Sequence, residues 1–98
     1  MRPHHAQKLI RELAIDSSNV AWSKHAHERM LERGITDRVA LDVLRTGDVK
    51  GEIEPGKNPG EWKAKMCKHI KGRREVGVVT IIMRAKRLYV KTVEWEDL

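Results

Sequence analysis

The sequence contains no phenylalanine and few other aromatic residues, so its core has to be built from aliphatic side chains. The aromatic residues are three tryptophans and one tyrosine in a chain of 98 residues. Hydrophobic residues still make up 40% of the chain, and a domain of this length buries roughly two thirds of its surface on folding. The composition therefore predicts one small domain with a core of Val, Ile, Leu and Met.

Cysteine and long apolar runs are also scarce, and each absence excludes a class of protein. The single cysteine, Cys67, cannot form an internal disulfide, which fits a reducing cytoplasm better than a disulfide-rich secreted protein. The longest apolar run lies around Val76 to Met83 and is far shorter than the ~20 residues that a membrane-spanning helix needs. We therefore expect a cytoplasmic domain with no membrane segment.

Charged residues, in contrast, are abundant and unbalanced in sign. Twenty Lys and Arg residues against 14 Asp and Glu residues give a net charge of +6 at pH 7. A small domain with this balance favours a polyanionic partner, RNA or DNA rather than a membrane surface. The alternative is a protein that is merely basic, because net charge concerns association and not fold.

The first half of the sequence has the periodicity and end signals of three short helices. An apolar stripe predicts a first helix over residues 3–16. A second helix is predicted from its N-cap Ser23 to Arg33, where a glycine follows. A third runs from its cap Thr36 to about Thr46, again before a glycine.

The second half changes to the period of β-strands. Residues 49–53 are predicted as an edge strand, and residues 61–71 alternate between apolar and polar side chains. The β-branched run over residues 76–83 predicts a central strand, and residues 88–95 predict a last one. Short turns favour antiparallel pairing of these strands.

The predicted order of elements, α-α-α-β-β-β-β, defines an α+β fold class. We expect N-terminal helices packed on one face of a roughly four-stranded antiparallel sheet. The chain is interpreted as a single domain over residues 1–98, in which residues 1–19 add an N-terminal helix to a core over residues 20–96.

The second helix carries the most distinctive pattern, "WSKHAHERMLERGIT". At 100° per residue, His25, Arg29 and Arg33 fall within a sector of about 80° beside the apolar face. Two guanidinium groups one turn apart suit phosphate, because each planar fork grips two oxygens. The alternative is that Arg29 pairs with Glu32, that Arg33 pairs with a carboxylate of the sheet, and that His25 is an ordinary half-buried polar residue.

Metal binding and cysteine chemistry find less support in the sequence. His25 and His27 are two residues apart on a helix and do not converge. Cys67 and His69 share one strand face, but a complete zinc ligand set is not evident, so no metal or other cofactor is predicted. Lysines flank Cys67 and would lower its pKa, yet a cysteine nucleophile needs more partners than the sequence offers.

Metal-free cleavage of RNA has modest chemical requirements. It needs a general base, a general acid and cations that stabilise charge on the phosphorus centre. His25 suits the acid–base role, and the predicted strand face of Lys63, Lys65 and His69 provides a basic track for a nucleic-acid backbone. The alternative for these lysines is an ordinary solvated strand face.

The stretch "WSKHAHERMLERGITDRVALDVLRTG" resembles the opening of the bacterial domain-of-unknown-function family catalogued as 4258. The family pattern is a His, an Arg four residues later, "RGI", a polar cap, a short helix and a Gly. The matching residues are His25, Arg29, Arg33-Gly34-Ile35, Thr36 and Gly47. "VKTVEW", with Thr92 and Trp95, is similar to the closing strands of the family, so the resemblance covers about residues 20 to 96.

That family is similar to the superfold shared by barnase, EndoU, colicin and RelE-type ribonucleases, which includes toxins of toxin–antitoxin pairs. The resemblance implies a metal-independent ribonuclease that acts on RNA, with an antitoxin protein as a partner. It implies His25 as the catalytic acid or base, Arg29 and Arg33 as phosphate ligands, and Thr92 as an orienting hydroxyl. Lys65 enters this set from the strand pattern only.

Two other interpretations stay open at this point. In the first, the same fold is a non-catalytic module that binds nucleic acid or protein through its basic face. In the second, the chain is a structural or interaction protein with no nucleic-acid role.

Overall fold

The structure, a computed structural model, describes residues 1–72 and 74–96. Its helices and strands are, in chain order, Pro3–Ala14 (α1), Val20–Trp22 (β1), Lys24–Arg33 (α2), Asp37–Thr46 (α3), Asp48–Val49 (β2), Glu54–Pro55 (β3), Trp62–Lys71 (β4), Arg74–Ile82 (β5) and Leu88–Trp95 (β6). This order confirms the predicted α+β class, with helices before a mostly antiparallel sheet. No helix in the described part of the chain is long and apolar enough to cross a membrane.

The caps predicted from the sequence determine where α2 and α3 begin. The Ser23 hydroxyl accepts a hydrogen bond from the Ala26 amide at 2.9 Å, and the Thr36 hydroxyl accepts one from the Val39 amide at 3.2 Å. Gly34 ends α2 in the left-handed conformation, with φ of 66°. The helix bounds therefore agree with the sequence, except that α1 ends two residues before the predicted Asp16.

The sheet contains one pairing that the sequence did not predict. Its strand order is β1-β6-β5-β4-β2, and β3 also pairs with β4. β1 runs parallel to β6, with Val20 opposite Leu88, whereas the other pairs are antiparallel. The short extended piece before α2 is therefore an edge strand that lies beside the last strand of the chain.

The predicted edge strand over residues 49–53 is wrong in its extent. Two two-residue strands, β2 and β3, pair with β4 at separate points, and the chain leaves the sheet between them. Gly51 lies in this intervening segment with φ of 82°, a backbone conformation outside the extended region.

All three helices contribute to one core against one face of the sheet. α1 is part of this core, because its residues Ala6, Ile10 and Ala14 are completely buried. Arg11 and Arg45 hold α1 and α3 together, since Arg11 donates to the Gly47 carbonyl at 2.6 and 2.9 Å and Arg45 donates to the Ala14 carbonyl at 2.7 Å.

Within residues 1–72 and 74–96, no helix lies on the opposite face of the sheet. Lys65, Val79 and Thr92 lie in one row across β4, β5 and β6 on this side, which we call the open face. β5 is the central strand, as predicted, and most of its residues are buried. Side chains of the three long strands β4, β5 and β6 can therefore be reached by a binding partner on the open face.

Candidate functional site

β6 contains a bulge that brings two neighbouring residues to the open face. Val79 on β5 is opposite Thr92, but the next residue, Thr80, is opposite Val90, so Lys91 is the extra residue. Val90 and Val93 on either side point into the core and are fully buried, whereas Lys91 is exposed and Thr92 half-buried. A bulge commonly redirects a side chain in this way beside a functional site.

The start of α2 is hydrogen-bonded to the backbone of this bulge. The Ser23 amide donates to the Val90 carbonyl at 3.0 Å, and the Ser23 hydroxyl donates to the Lys91 carbonyl at 2.9 Å. The same hydroxyl caps α2, so one serine determines both where the helix begins and where it lies. His25 follows two residues later, within the first turn of the helix.

The flank of α2 that carries His25 faces the edge of β6. His25, Arg29 and Arg33 share this flank, and the Arg33 guanidinium donates to the Val93 carbonyl at 2.7 Å. The Trp95 indole donates in return to the Arg33 carbonyl at 2.9 Å. α2 therefore lies along β6, with the His25 end at the bulge and the Arg33 end at Trp95.

We call the group formed by Ser23, His25, Arg29, Lys91 and Thr92 the α2–β6 junction. His25 is exposed, and Arg29 is half-buried and pairs with Glu32 at 2.7 Å, the pairing considered from the sequence as an alternative to phosphate binding. Arg33 is bound to the backbone of β6 and not to the sheet carboxylate considered in the same alternative. His27 is exposed on the other flank, with its ring 6.1 Å from that of Trp22.

The first turn of α2 is electrostatically suited to an anion. It contains no acidic residue and instead begins with Lys24 and His25. The partial positive charge of a helix N-terminus is normally balanced by acidic side chains, each worth about 0.3–1 kcal/mol. A bound phosphate would supply that missing negative charge at the α2–β6 junction.

The predicted basic track on β4 is largely paired with carboxylates. The Lys65 ammonium group is 2.8 Å from one oxygen of Glu96 and 3.6 Å from Glu94, and Lys63 is 3.3 Å from Glu54. His69 lies further along the same strand, with its ring nitrogen 4.0 Å from Glu75.

The structure therefore divides the predicted site residues into two groups. His25 and Arg29 are on α2, which is hydrogen-bonded along β6 through Ser23 and Arg33, and Thr92 is on β6 itself. Lys65 shares the open face with Thr92 but lies two strands away, about 10 Å at the usual strand spacing. Lys63 and His69 are on β4 as well, so they also lie away from α2.

Glu96 is the principal charge partner on the open face and was not predicted from the sequence. Its side chain is 7% exposed, lies over Gly77 and accepts hydrogen bonds from both Lys65 and Lys50. Burial on its own raises the pKa of Glu96, but the hydrogen bonds and charges of the two lysines outweigh it and hold the pKa below its ordinary value.

Replacing Glu96 by glutamine is expected to lower the free energy of unfolding by about 1–2 kcal/mol at pH 7, because Lys65 loses a charged hydrogen-bond partner. Folding lowers the pKa of Glu96, so this stabilisation is complete above the ordinary pKa of an unfolded glutamate and is lost as the pH falls through the lower pKa of the folded state. Urea unfolding between pH 7 and pH 3 measures the effect.

Glu52→Gln is the matched control, because Glu52 is exposed and makes no ion pair among the described residues. We expect it to change the free energy of unfolding by less than about 0.5 kcal/mol at either pH. A Glu96→Gln effect that stays constant between pH 7 and pH 3 would contradict the proposed stabilisation.

Cys67 differs from its sequence prediction. It is 6% exposed, and burial together with the negative charges of Glu96 and Glu75 raises its pKa to about 12. The charges of Lys50 and Lys65 lower the pKa by less than this, so the prediction of a lowered pKa is wrong. The thiol therefore stays protonated at neutral pH and is a poor nucleophile.

Two residues of β6, Lys91 and Glu94, were missed as open-face residues by sequence reasoning. The signal was present in the spacing of the apolar residues, which fall at 88, 90, 93 and 95. A regular strand repeats every two residues, so the step of three between Val90 and Val93 indicates a bulge at Lys91 and Thr92.

Within residues 1–72 and 74–96, no group of three or more His, Cys, Asp or Glu side chains is placed to hold a metal ion. The candidate groups on α2 and on the β6 bulge are a histidine, an arginine, a lysine and a hydroxyl. They are the groups that bind a phosphodiester and move its protons.

Comparison with known proteins identifies a family over most of the chain. The family model described as Domain of unknown function (DUF4258) matches residues 22–95. This range begins at Trp22 in β1 and ends at Trp95 in β6, so it includes the whole α2–β6 junction and the three long strands β4, β5 and β6. No curated protein and no solved structure matches the chain significantly. The chain therefore belongs to the DUF4258 family.

Proposed function

We propose that the protein binds RNA at the α2–β6 junction and cleaves it without a metal ion. The observation that supports this most directly is the pair of hydrogen bonds from Ser23 to Val90 and Lys91. They hold the first turn of α2 against the β6 bulge. His25 follows Ser23 in this first turn, and Lys91 and Thr92 are the two residues of the bulge.

The proposed reaction is an attack of the RNA on its own backbone. A base removes the proton of a 2′-hydroxyl group, and that oxygen forms a bond to the adjacent phosphorus. The bond from phosphorus to the 5′-oxygen breaks, and the leaving oxygen takes up a proton. The products are a 2′,3′-cyclic phosphate end and a free 5′-hydroxyl end.

Each group of the α2–β6 junction has a role in this reaction. His25 exchanges protons with the substrate, because histidine titrates near neutral pH. Arg29 and Lys91 stabilise the charge that develops on the phosphorane, and Thr92 orients a phosphate oxygen through its hydroxyl group. Arg29 has to exchange Glu32 for phosphate, which costs little because their ion pair is on the helix surface.

The resemblance of the family sequence to RelE-type toxins leads us to propose a cellular role for this cleavage. A ribonuclease of this kind acts in the cytoplasm, where RNA is present and where the buried thiol of Cys67 is in keeping with a reducing environment. An uncontrolled ribonuclease stops growth, so we propose an antitoxin protein that covers the α2–β6 junction. An acidic partner would complement its cations.

The direct test is incubation of the purified protein with a 5′-labelled single-stranded RNA in the presence of EDTA. We expect fragments that end in 2′,3′-cyclic phosphate and a rate that does not change when the chelator is added. Intact RNA after incubation with folded protein, at several RNA sequences and in the presence of ribosomes, would overturn the proposed cleavage.

One feature favours a second function, RNA binding without cleavage. Among the described residues, no side chain or backbone group forms a hydrogen bond to the imidazole of His25. Catalytic histidines usually have such a partner, because it selects the tautomer and holds the ring in place. If the protein binds RNA without cleaving it, the α2–β6 junction holds the RNA backbone, and substitution of His25 leaves the affinity for RNA nearly unchanged.

A further inference from the structure

A cavity of about 370 Å³ lies on the open face beside the α2–β6 junction. Its apolar floor is formed by Ile81 and Met83 with the ring of Tyr89, and Lys63 and Lys91 stand at its margin. The volume lies at the lower end of the range for small-molecule sites, which suits a ligand with one ring system.

The far wall of the cavity is a loop over residues 55–61 that is closed by its own hydrogen bonds. The Gly56 amide donates to the Glu61 carbonyl at 2.7 Å, and the Glu61 amide donates to the Asn58 carbonyl at 3.2 Å. A Cβ atom at Gly56 would lie 2.6 Å from that of Glu61, so the two ends of the loop are in close contact. The wall is therefore formed before any ligand arrives.

Tyr89 is the group in the cavity best suited to contact a flat ligand. Its side chain belongs to the few large hydrophobic ones that are exposed, at 36% of its surface. In the part of the chain that the structure describes, its hydroxyl group has no hydrogen-bond partner. Exposed aromatic rings on an open sheet face are typical platforms on which the bases of single-stranded RNA stack.

Lys91 connects the cavity to the α2–β6 junction. Its side chain lines the cavity, while its carbonyl accepts the hydrogen bond from the Ser23 hydroxyl. No carboxylate among the described residues pairs with its ammonium group, in contrast to Lys63 and Lys65. A phosphate attached to a base in the cavity would therefore find an available cation directly beside it.

We propose that this cavity binds one nucleobase of single-stranded RNA, stacked on Tyr89, with the attached phosphate on Lys91. The inference rests on the proposed function and adds a base-binding subsite to it. Because of the bulge, Tyr89 and Thr92 are opposite Ile81 and Val79, which are two residues apart on β5, so they lie about 7 Å apart along the sheet. A base on Tyr89 can therefore belong to the same nucleotide whose phosphate is at Lys91 and Thr92.

Titration of the full-length protein with adenosine and cytidine 5′-monophosphates, followed by NMR, tests the subsite separately from cleavage. We expect the amide signals of Ile81, Tyr89 and Lys91 to shift together. Tyr89→Ala should weaken binding at least fivefold, because a stacked base is lost, while Tyr89→Phe should bind like the wild type. Lys91→Ala should also weaken it, and the exposed Lys8 on α1 gives the charge-matched control Lys8→Ala.

The outcomes distinguish the two proposals. Equal nucleotide affinity for wild type and Tyr89→Ala, with folding verified by circular dichroism, overturns the subsite. Signal shifts confined to residues away from the cavity overturn it as well. If nucleotides bind with the expected dependence on Tyr89 but no RNA is cleaved, the subsite stands and the proposed ribonuclease activity fails.

Discussion

Replacement of His25 by alanine is expected to lower the rate of RNA cleavage by about 10²–10⁴-fold, the usual contribution of a general acid or base. RNA affinity should change by less than about threefold, because Arg29, Lys91 and the N-terminus of α2 remain in place. Single-turnover cleavage in EDTA and a binding titration on the same RNA separate the two quantities. The fold should be retained, because the His25 side chain is exposed.

His27→Ala is the matched control for this prediction. It removes the same side chain from the same turn of α2, but from the flank that faces Trp22 instead of β6. Its cleavage rate should stay within about twofold of the wild type. An equal loss of cleavage rate in both variants would point to damage of the helix. An unchanged cleavage rate in both would mean that His25 takes no part in the reaction and would favour RNA binding without cleavage.

Replacement of Gly47 by alanine is expected to lower the free energy of unfolding by about 1–3 kcal/mol, since overpacking at a rigid position forces backbone to move. An added Cβ atom would lie 2.5 Å from the Val43 carbonyl oxygen and 2.7 Å from that of Cys67. These atoms belong to the end of α3 and the middle of β4. Urea unfolding should record the loss, and the melting temperature should fall by roughly 4–8 °C per kcal/mol.

Gly34→Asn is the comparison that isolates steric crowding. Gly34 has no other atom within 4 Å of the position of an added Cβ, and its φ of 66° is a conformation that asparagine adopts readily. We therefore expect a smaller loss than for Gly47→Ala. A Gly47→Ala variant within 0.5 kcal/mol of the wild type would mean that α3 and β4 separate without cost.

The helices were predictable because their information is local. Ser23 and Thr36 are caps that act within three residues, and Gly34 ends α2 through its own backbone conformation. Apolar stripes select the buried face of each helix independently of its neighbours. The α+β layout then follows from helices and strands that each have one apolar side.

The pairing of β1 with β6 was not predictable in the same way. The strands are separated by more than 60 residues, and nothing in Val20, Ala21 and Trp22 specifies which strand they join. The predicted extent of the edge strand was wrong for a related reason. A strand signal at residues 49–53 does not reveal that the chain passes through Gly51 in a non-extended conformation.

The candidate site was predicted in part. The sequence placed His25 and Arg29 on one flank of a helix, and the structure adds that this flank faces β6. It also placed Lys65 on a polar strand face, but the pairing of Lys65 with Glu96 depends on how the chain continues after β6. Long-range contacts of this kind are absent from any local pattern, whereas the bulge at Lys91 could have been inferred from the spacing of valines.

The hydrogen bonds of Ser23 to the β6 backbone also determine at which stage of folding the α2–β6 junction forms. The Ser23–Lys91 hydrogen bond joins residues 68 positions apart, and the Arg33–Val93 bond spans 60 positions. Contacts this distant in sequence form late in folding, because a long loop has to close first. During synthesis, α2 leaves the ribosome well before β6 does. A nascent chain therefore carries His25 on a segment that has not yet met β6, and the α2–β6 junction is assembled only when β6 is in place.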